Sequence, residues 1–183
     1  SKFLVFIFAL INVSVSINNT HLTFTLDDVD NGTLKYGDEE VPILNGVGSY
    51  SISESPGTEI TGSTSYLGDK YYAKSNTFTV TVPKIEPEFT IEASEIIYNQ
   101  SIPSVTIETD NNPDFNIAVW DSTNKLVYST TSKKGNVELK ELTAGYYIIN
   151  VTSIEDTTYT SVSKTTPLII QKASTEITDT EVN

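Results

Sequence analysis

The chain has 183 residues, of which 24 are acidic and 11 basic, giving a net charge of −13 with no Cys, no Met and a single His. Every basic residue is a lysine, so no guanidinium fork is available to grip phosphate, and the acidic excess repels nucleic acid and anionic membranes. Thiolate zinc sites, Fe–S clusters, thiol catalysis and His-rich metal centres are excluded, which leaves only oxygen-ligand ions such as Ca²⁺.

Thr, Ser and Asn are abundant and the apolar residues lean to Ile, Val, Tyr and Phe, a composition of strands and turns rather than helices. At the amino end, Lys2 precedes the apolar run Phe3–Ile11. This segment has two readings. It is either a signal-like segment, too short to span a bilayer at the ~20 residues needed, or the first strand of a module whose next strand is Val13–Ile17. The acidic stretch Asp27, Asp28 and Asp30 follows, then turn signals at Asp30-Asn31-Gly32 and Asn45-Gly46, where Asn and Gly tolerate the positive φ of tight hairpins. Period-2 alternation then recurs at Phe78–Val82, Val105–Ile107, Ile117–Val119, Val137–Leu139 and Tyr147–Val151, with further turns at 110–113 and 134–136. Short alternating strands with such turns predict an all-β chain built as a sandwich, and no window carries a helical apolar stripe.

The two halves repeat each other. Gly68-Asp69-Lys70-Tyr71-Tyr72 lies over Glu155-Asp156-Thr157-Thr158-Tyr159 at an offset of 87 residues, and Ile60 lies over Tyr147 in the same register. The expected organisation is therefore module 1 over 1–83, module 2 over 84–172, and the start of a further repeat or a tail over 173–183. Pro83 and Pro87 bracket a linker too short to act as a flexible tether, so the modules are expected to lie end to end.

Tyr66-Leu67-Gly68-Asp69-Lys70-Tyr71-Tyr72 followed by the alternating Phe78–Val82 resembles the closing segment of immunoglobulin-like repeats in adhesin-like surface proteins of methanogenic archaea and in related bacterial repeat proteins. The segment Leu142 to Val151, with Gly145 and Tyr147, looks like the part just before it, Tyr147 standing in the place of a tyrosine corner. The structural signature the resemblance implies is Tyr66, Gly68, Asp69, Tyr72, Gly145, Tyr147, Asp156 and Tyr159. The first copy departs from it with Ile60 in the corner place, and the second with Ser153 and Glu155 in place of Tyr66 and Gly68, which predicts a different turn there. The resemblance implies tandem immunoglobulin-like β-sandwiches, an extracellular cell-surface location and no catalytic motif.

Candidate sites are few. Asp27, Asp28 and Asp30 form the one acidic cluster suited to Ca²⁺, but Val29 falls where an EF-hand loop needs a ligand, and the competing reading is a solvated turn. Asp110, Asp114 and Asp121 form a looser set expected on one loop. His21 has no nucleophile or elbow motif near it in the sequence. Tyr66, Tyr71, Tyr72, Tyr146 and Tyr147 suit either a sandwich core or a sugar-stacking platform, and Trp120, the only Trp, is expected to pack over the sandwich edge. Sequons occur at Asn12, Asn18, Asn31, Asn99 and Asn150. Asn31 in a turn and Asn150 on an outward strand position are the candidates for N-glycosylation.

The reading that follows is a non-enzymatic, cofactor-free, monomeric stalk or adhesion module of a cell-surface adhesin-like protein. Its partners are neighbouring repeats and a surface glycan or protein of another cell. The alternative is a purely structural spacer in a larger exported or cell-wall enzyme.

Overall fold

The computed structural model describes residues 9–29, 31–67 and 71–174. The chain divides into two compact units, residues 1–84 and 85–183. Among the described residues all regular structure is β. The sequence positions 1–8, 30, 68–70 and 175–183 lie outside the described residues, and with them Asp30, Gly68, Asp69, most of the apolar start and the last residues read as a further repeat or tail.

The first unit contains β1 (Ala9–Leu10), β2 (Val13–Ile17), β3 (His21–Leu26), β4 (Asn31–Tyr36), β5 (Glu39–Leu44), β6 (Val47–Ser51), β7 (Glu59–Leu67) and β8 (Tyr71–Thr81). They form one continuous sheet in the order β1-β8-β7-β4-β5-β6-β3-β2. The join is slender. Between β5 and β6 only Leu44 and Val47 pair, across Asn45-Gly46, and both turn residues have positive φ, 51° and 79°, the twist that a two-residue hairpin of this kind requires. The sheet folds back at this hairpin, so that Phe24 of β3 meets Tyr36 of β4 at 5.6 Å and Phe78 of β8 at 6.1 Å between ring centroids. Leu22, Phe24, Leu34, Val41 and Ile43, all almost fully buried, complete this core. Each such side chain contributes roughly 1.5–3 kcal/mol by leaving water, in place of the disulfides that this chain lacks.

One expected turn is corrected here. Asn31-Gly32 is not the hairpin tip but the start of β4, the left-handed turn residue being Asp28 at φ 61°. Gly32 is used for space instead. A Cβ there would come within 2.6 Å of the Tyr66 hydroxyl, so the ring of Tyr66 lies where a side chain would otherwise stand, and Tyr66 is buried as a result.

The second unit contains β9 (Thr90–Ala93), β10 (Ile96–Ile97), β11 (Ser104–Glu108), β12 (Phe115–Asp121), β13 (Leu126–Ser132), β14 (Gly135–Glu138), β15 (Gly145–Ser153) and β16 (Ser163–Gln171). Here the two sheets are separate, β10-β16-β15-β12-β13 and β14-β11-β9. Alternation places Phe115, Ile117 and Val119 of β12 and Tyr147, Ile149 and Val151 of β15 inward, against Val105 and Ile107 of β11. Phe89 packs edge-on against Phe115 at 4.9 Å.

The two units share a plan. In each, a two-residue strand pairs in parallel with the long final strand, β1 with β8 and β10 with β16, and the two short strands begin 87 residues apart. They differ between this strand and the next. The first unit places the full strand β2 there, while the second has the loop 98–103. Val82 is hydrogen-bonded to Gly57 and Thr58 of the first unit, and Ile85 to Thr158 and Thr160 of the second, so the chain passes from one unit to the other over residues 83 and 84.

Candidate functional site

The second half of the expected signature is built by local hydrogen bonding. The Tyr147 hydroxyl donates to the Thr143 carbonyl at 2.9 Å, the bond of a tyrosine corner. Its ring turns back over Gly145, where a Cβ would stand 3.4 Å from the ring. Asp156 caps the turn that follows β15, one carboxylate oxygen accepting from the Thr158 and Tyr159 amides at 2.7 and 2.8 Å. Tyr159 pairs with Ile85 as an isolated parallel bridge, and its hydroxyl accepts from the Asn112 amide at 3.3 Å.

Ser153, aligned with Tyr66 of the first copy, takes a different role. It is fully buried, and its hydroxyl accepts from the Val162 amide at 2.8 Å and donates to the Thr160 carbonyl at 3.1 Å. The loop into β16 is thus sewn to the strand end in the second unit, whereas in the first a ring fills the space over a glycine.

The acidic candidates do not converge. Asp28 occupies a turn and the adjoining Val29 is buried in the core, and no group of three metal-capable side chains occurs among the described residues. Asp110, Asp114 and Asp121 do not share a loop, because β12 separates the last two. Asp114 forms an ion pair with Lys133. Asp121 organises the β12–β13 hairpin by accepting from the Thr123 hydroxyl at 2.6 Å, the Thr123 amide at 2.8 Å and the Lys125 amide at 3.1 Å. The Thr123 hydroxyl, followed by those backbone amides, holds its carboxyl below the usual value of 3.8. His21 opens β3 with its ring nitrogens 2.7 Å from the Thr20 hydroxyl and 3.3 Å from that of Ser51.

Two open clefts lie in the second unit. In the larger, of about 740 Å³, Lys134 is bonded to the Thr109 and Asn111 carbonyls and Lys164 to the Phe89 carbonyl above its ring. Both cations therefore hold the fold. The smaller, of about 520 Å³, lies between loop 98–103 and residues 139–142.

Of the five tyrosines read as a sugar platform, Tyr71 and Tyr72 have side chains outside the described residues, and the reading is corrected for Tyr66 and Tyr147. Tyr66 and Tyr147 are buried core residues, while Tyr146 is 49% exposed. Trp120 does not pack over an edge; it is 38% exposed on the outer face of the five-stranded sheet, opposite Ile148 of β15 and Leu126 of β13. Tyr146 stands beside Ile169 of β16 in the neighbouring row. Of the eight large hydrophobics exposed among the described residues, Trp120, Leu126, Val127, Tyr146 and Ile169 gather at this one end. The remaining outward positions of β12, β15 and β16 are Ile148 and Asn, Ser, Thr, Ala, Pro and Gln residues, with no charged residue among them. Of the sequons, Asn31 is exposed at the start of β4, whereas Asn150 is half-buried mid-sheet and accepts from the Thr152 hydroxyl at 2.9 Å.

Comparison with known proteins places this architecture. The family model described as a secretion system C-terminal sorting domain matches residues 99–165, from the β10–β11 loop into β16. No curated protein matches the chain. Among solved structures, a two fibronectin type-III domain segment of chicken tenascin is similar with a TM-score of 0.51 at 18% identity, over 85% of this chain and 97% of that one. The FN1–FN3 domains of chicken CNTN1 are similar at 0.37 and 16% identity, over 90% and 69% of the two chains, and latent PorU from Porphyromonas gingivalis at 0.35 and 12%, over 94% and 21%. The tenascin likeness shows the fold: all-β, with immunoglobulin-like sandwiches of the fibronectin type-III kind.

Proposed function

We propose that the chain is a pair of immunoglobulin-like modules from an exported, cell-surface adhesin-like protein, acting as a monomer to support attachment of the cell to a surface glycan or protein of another cell. The observation that carries this reading is the match of residues 99–165 to a secretion-system sorting domain, lying in a sandwich fold that many exported proteins use to extend and to bind. The composition agrees with export: stability comes from two apolar cores without disulfides, and the acidic excess, with lysine as the only basic residue, favours solubility. The modules are not proposed as enzymes. Of the two candidate sequons, Asn31 is the more exposed and the one proposed to carry a glycan, since a bulky attachment needs an outward side chain.

The spacer alternative is favoured by one observation. The hairpins β5–β6 and β12–β13 are closed by turns of two and four residues, so these two turns leave little chain to build a binding loop. An array of host and microbial glycans and matrix proteins, probed with the whole chain, separates the two. Saturable binding to a defined partner supports attachment. Signal at background on every spot contradicts it and leaves the spacer.

A further inference from the structure

We infer that the outer face of the β10-β16-β15-β12-β13 sheet is a carbohydrate platform that stacks neutral sugar rings on Trp120 and Tyr146. The inference rests on the attachment reading and names the class of partner. Cross-strand register sets Leu126, Trp120, Ile148 and Pro167 side by side in one row, with Tyr146 and Ile169 in the next. Trp120 and Tyr146 are diagonal neighbours on adjacent strands, about 7–8 Å apart by strand geometry, a separation that consecutive pyranose rings of an extended chain can bridge. A pyranose presents flat C–H faces bordered by hydroxyls, which suits aromatic rings whose apolar faces are open to water.

Charge decides against other occupants. The chain carries −13 overall, yet the outward positions of the three central strands carry no ionised group. With the Glu95 carboxylate held by Gln171 at the β10 margin, a face whose central strands carry no charge inside an acidic protein offers little to steer a charged protein or lipid. It offers hydroxyls and amides instead. Beyond the aromatic rows stand Asn150, Thr165, Asn116 and Thr152. The Asn150 side-chain oxygen Oδ1 accepts from the Thr152 hydroxyl, and its side-chain nitrogen Nδ2 is a donor for a sugar hydroxyl. A second copy of the chain docking here would have to cover these polar rows as well as the two apolar ones.

Affinity electrophoresis of the whole chain in gels containing mannan, xyloglucan, laminarin or anionic alginate, with pull-down on particulate cellulose and chitin, tests this. Retardation or retention by at least one neutral polysaccharide is expected, none by alginate, with at least a tenfold loss for Trp120→Ala and for Tyr146→Ala. Ile102→Ser, which alters an exposed hydrophobic elsewhere, should bind like the parent chain. Because Trp120 is the only Trp, its emission in the unmutated protein must also change on binding, whatever the folding of the variants. Binding that leaves this emission and both alanine variants unaffected would overturn the platform while the attachment reading stands. Failure to bind any neutral probe, or self-association abolished by Trp120→Ala, would also overturn it, and protein partners on the array would then decide the attachment reading separately.

Discussion

Single side chains in this molecule settle where loops go, and two of them invite direct measurement. Removing the Tyr147 hydroxyl by Tyr147→Phe leaves the ring over Gly145 but frees the Thr143 carbonyl. Denaturant unfolding is expected to show a loss of about 0.5–1.5 kcal/mol, the net worth of one such bond. Thr64 presents the opposite case. It is buried on β7 and its hydroxyl has no hydrogen-bond partner, so it is desolvated without compensation. Thr64→Val keeps the shape and is expected to raise stability by about 1 kcal/mol; a destabilised variant would mean that the hydroxyl is satisfied in solution.

Elements are held by matched absences as much as by side chains. β4 accommodates Tyr66 only because Gly32 has no Cβ, so Gly32→Ala should displace the ring and cost on the order of 1–3 kcal/mol as an overpacked core does. Alanine at Gly37, where the space beside the backbone is empty, would act through its φ of 58° alone, and comparing the two melting curves separates crowding from backbone strain. The β12–β13 hairpin depends on an ionised Asp121. Its folded pKa is depressed, so the stabilisation is present above the unfolded value of 3.8 and is lost as pH falls through the folded value. An NMR titration should find its carboxyl midpoint below 3.8, with the Thr123 and Lys125 amides shifting over the same range; a midpoint at or above 3.8 contradicts the capped hairpin.

At this scale it is also plain what the residues alone reveal. Alternation locates β12, β15 and the end of β8 because a half-buried strand imposes period 2, and Asn45-Gly46 announces its hairpin because few residues accept positive φ. Asn31-Gly32 misleads, since glycine marks either a special φ or a missing side chain and only the partner strand tells which. Tyr146 and Tyr147 are adjacent and identical in type, and the alternation Tyr147, Ile149, Val151 puts Tyr147 on the inward phase, so Tyr146 faces outward, as the register with β12 and β16 shows. Alternation from Ile117 and Val119 also puts Trp120 outward, but that it stays exposed on the sheet face instead of packing over the edge emerges only from the fold, as does the separation of Asp114 from Asp121 by the strand between them.

For the whole molecule, two units of fibronectin type-III-like fold, an acidic surface whose basic residues are all lysines and a partial match to a secretion-sorting family point to one claim: the chain works outside the cell, at its surface. Labelling intact, unpermeabilised cells of the source organism with an antibody raised against residues 85–174, beside a cytoplasmic marker, tests that claim most directly. The account predicts labelling of intact cells that brief surface proteolysis removes while the marker stays silent. Labelling that appears only after permeabilisation would contradict it.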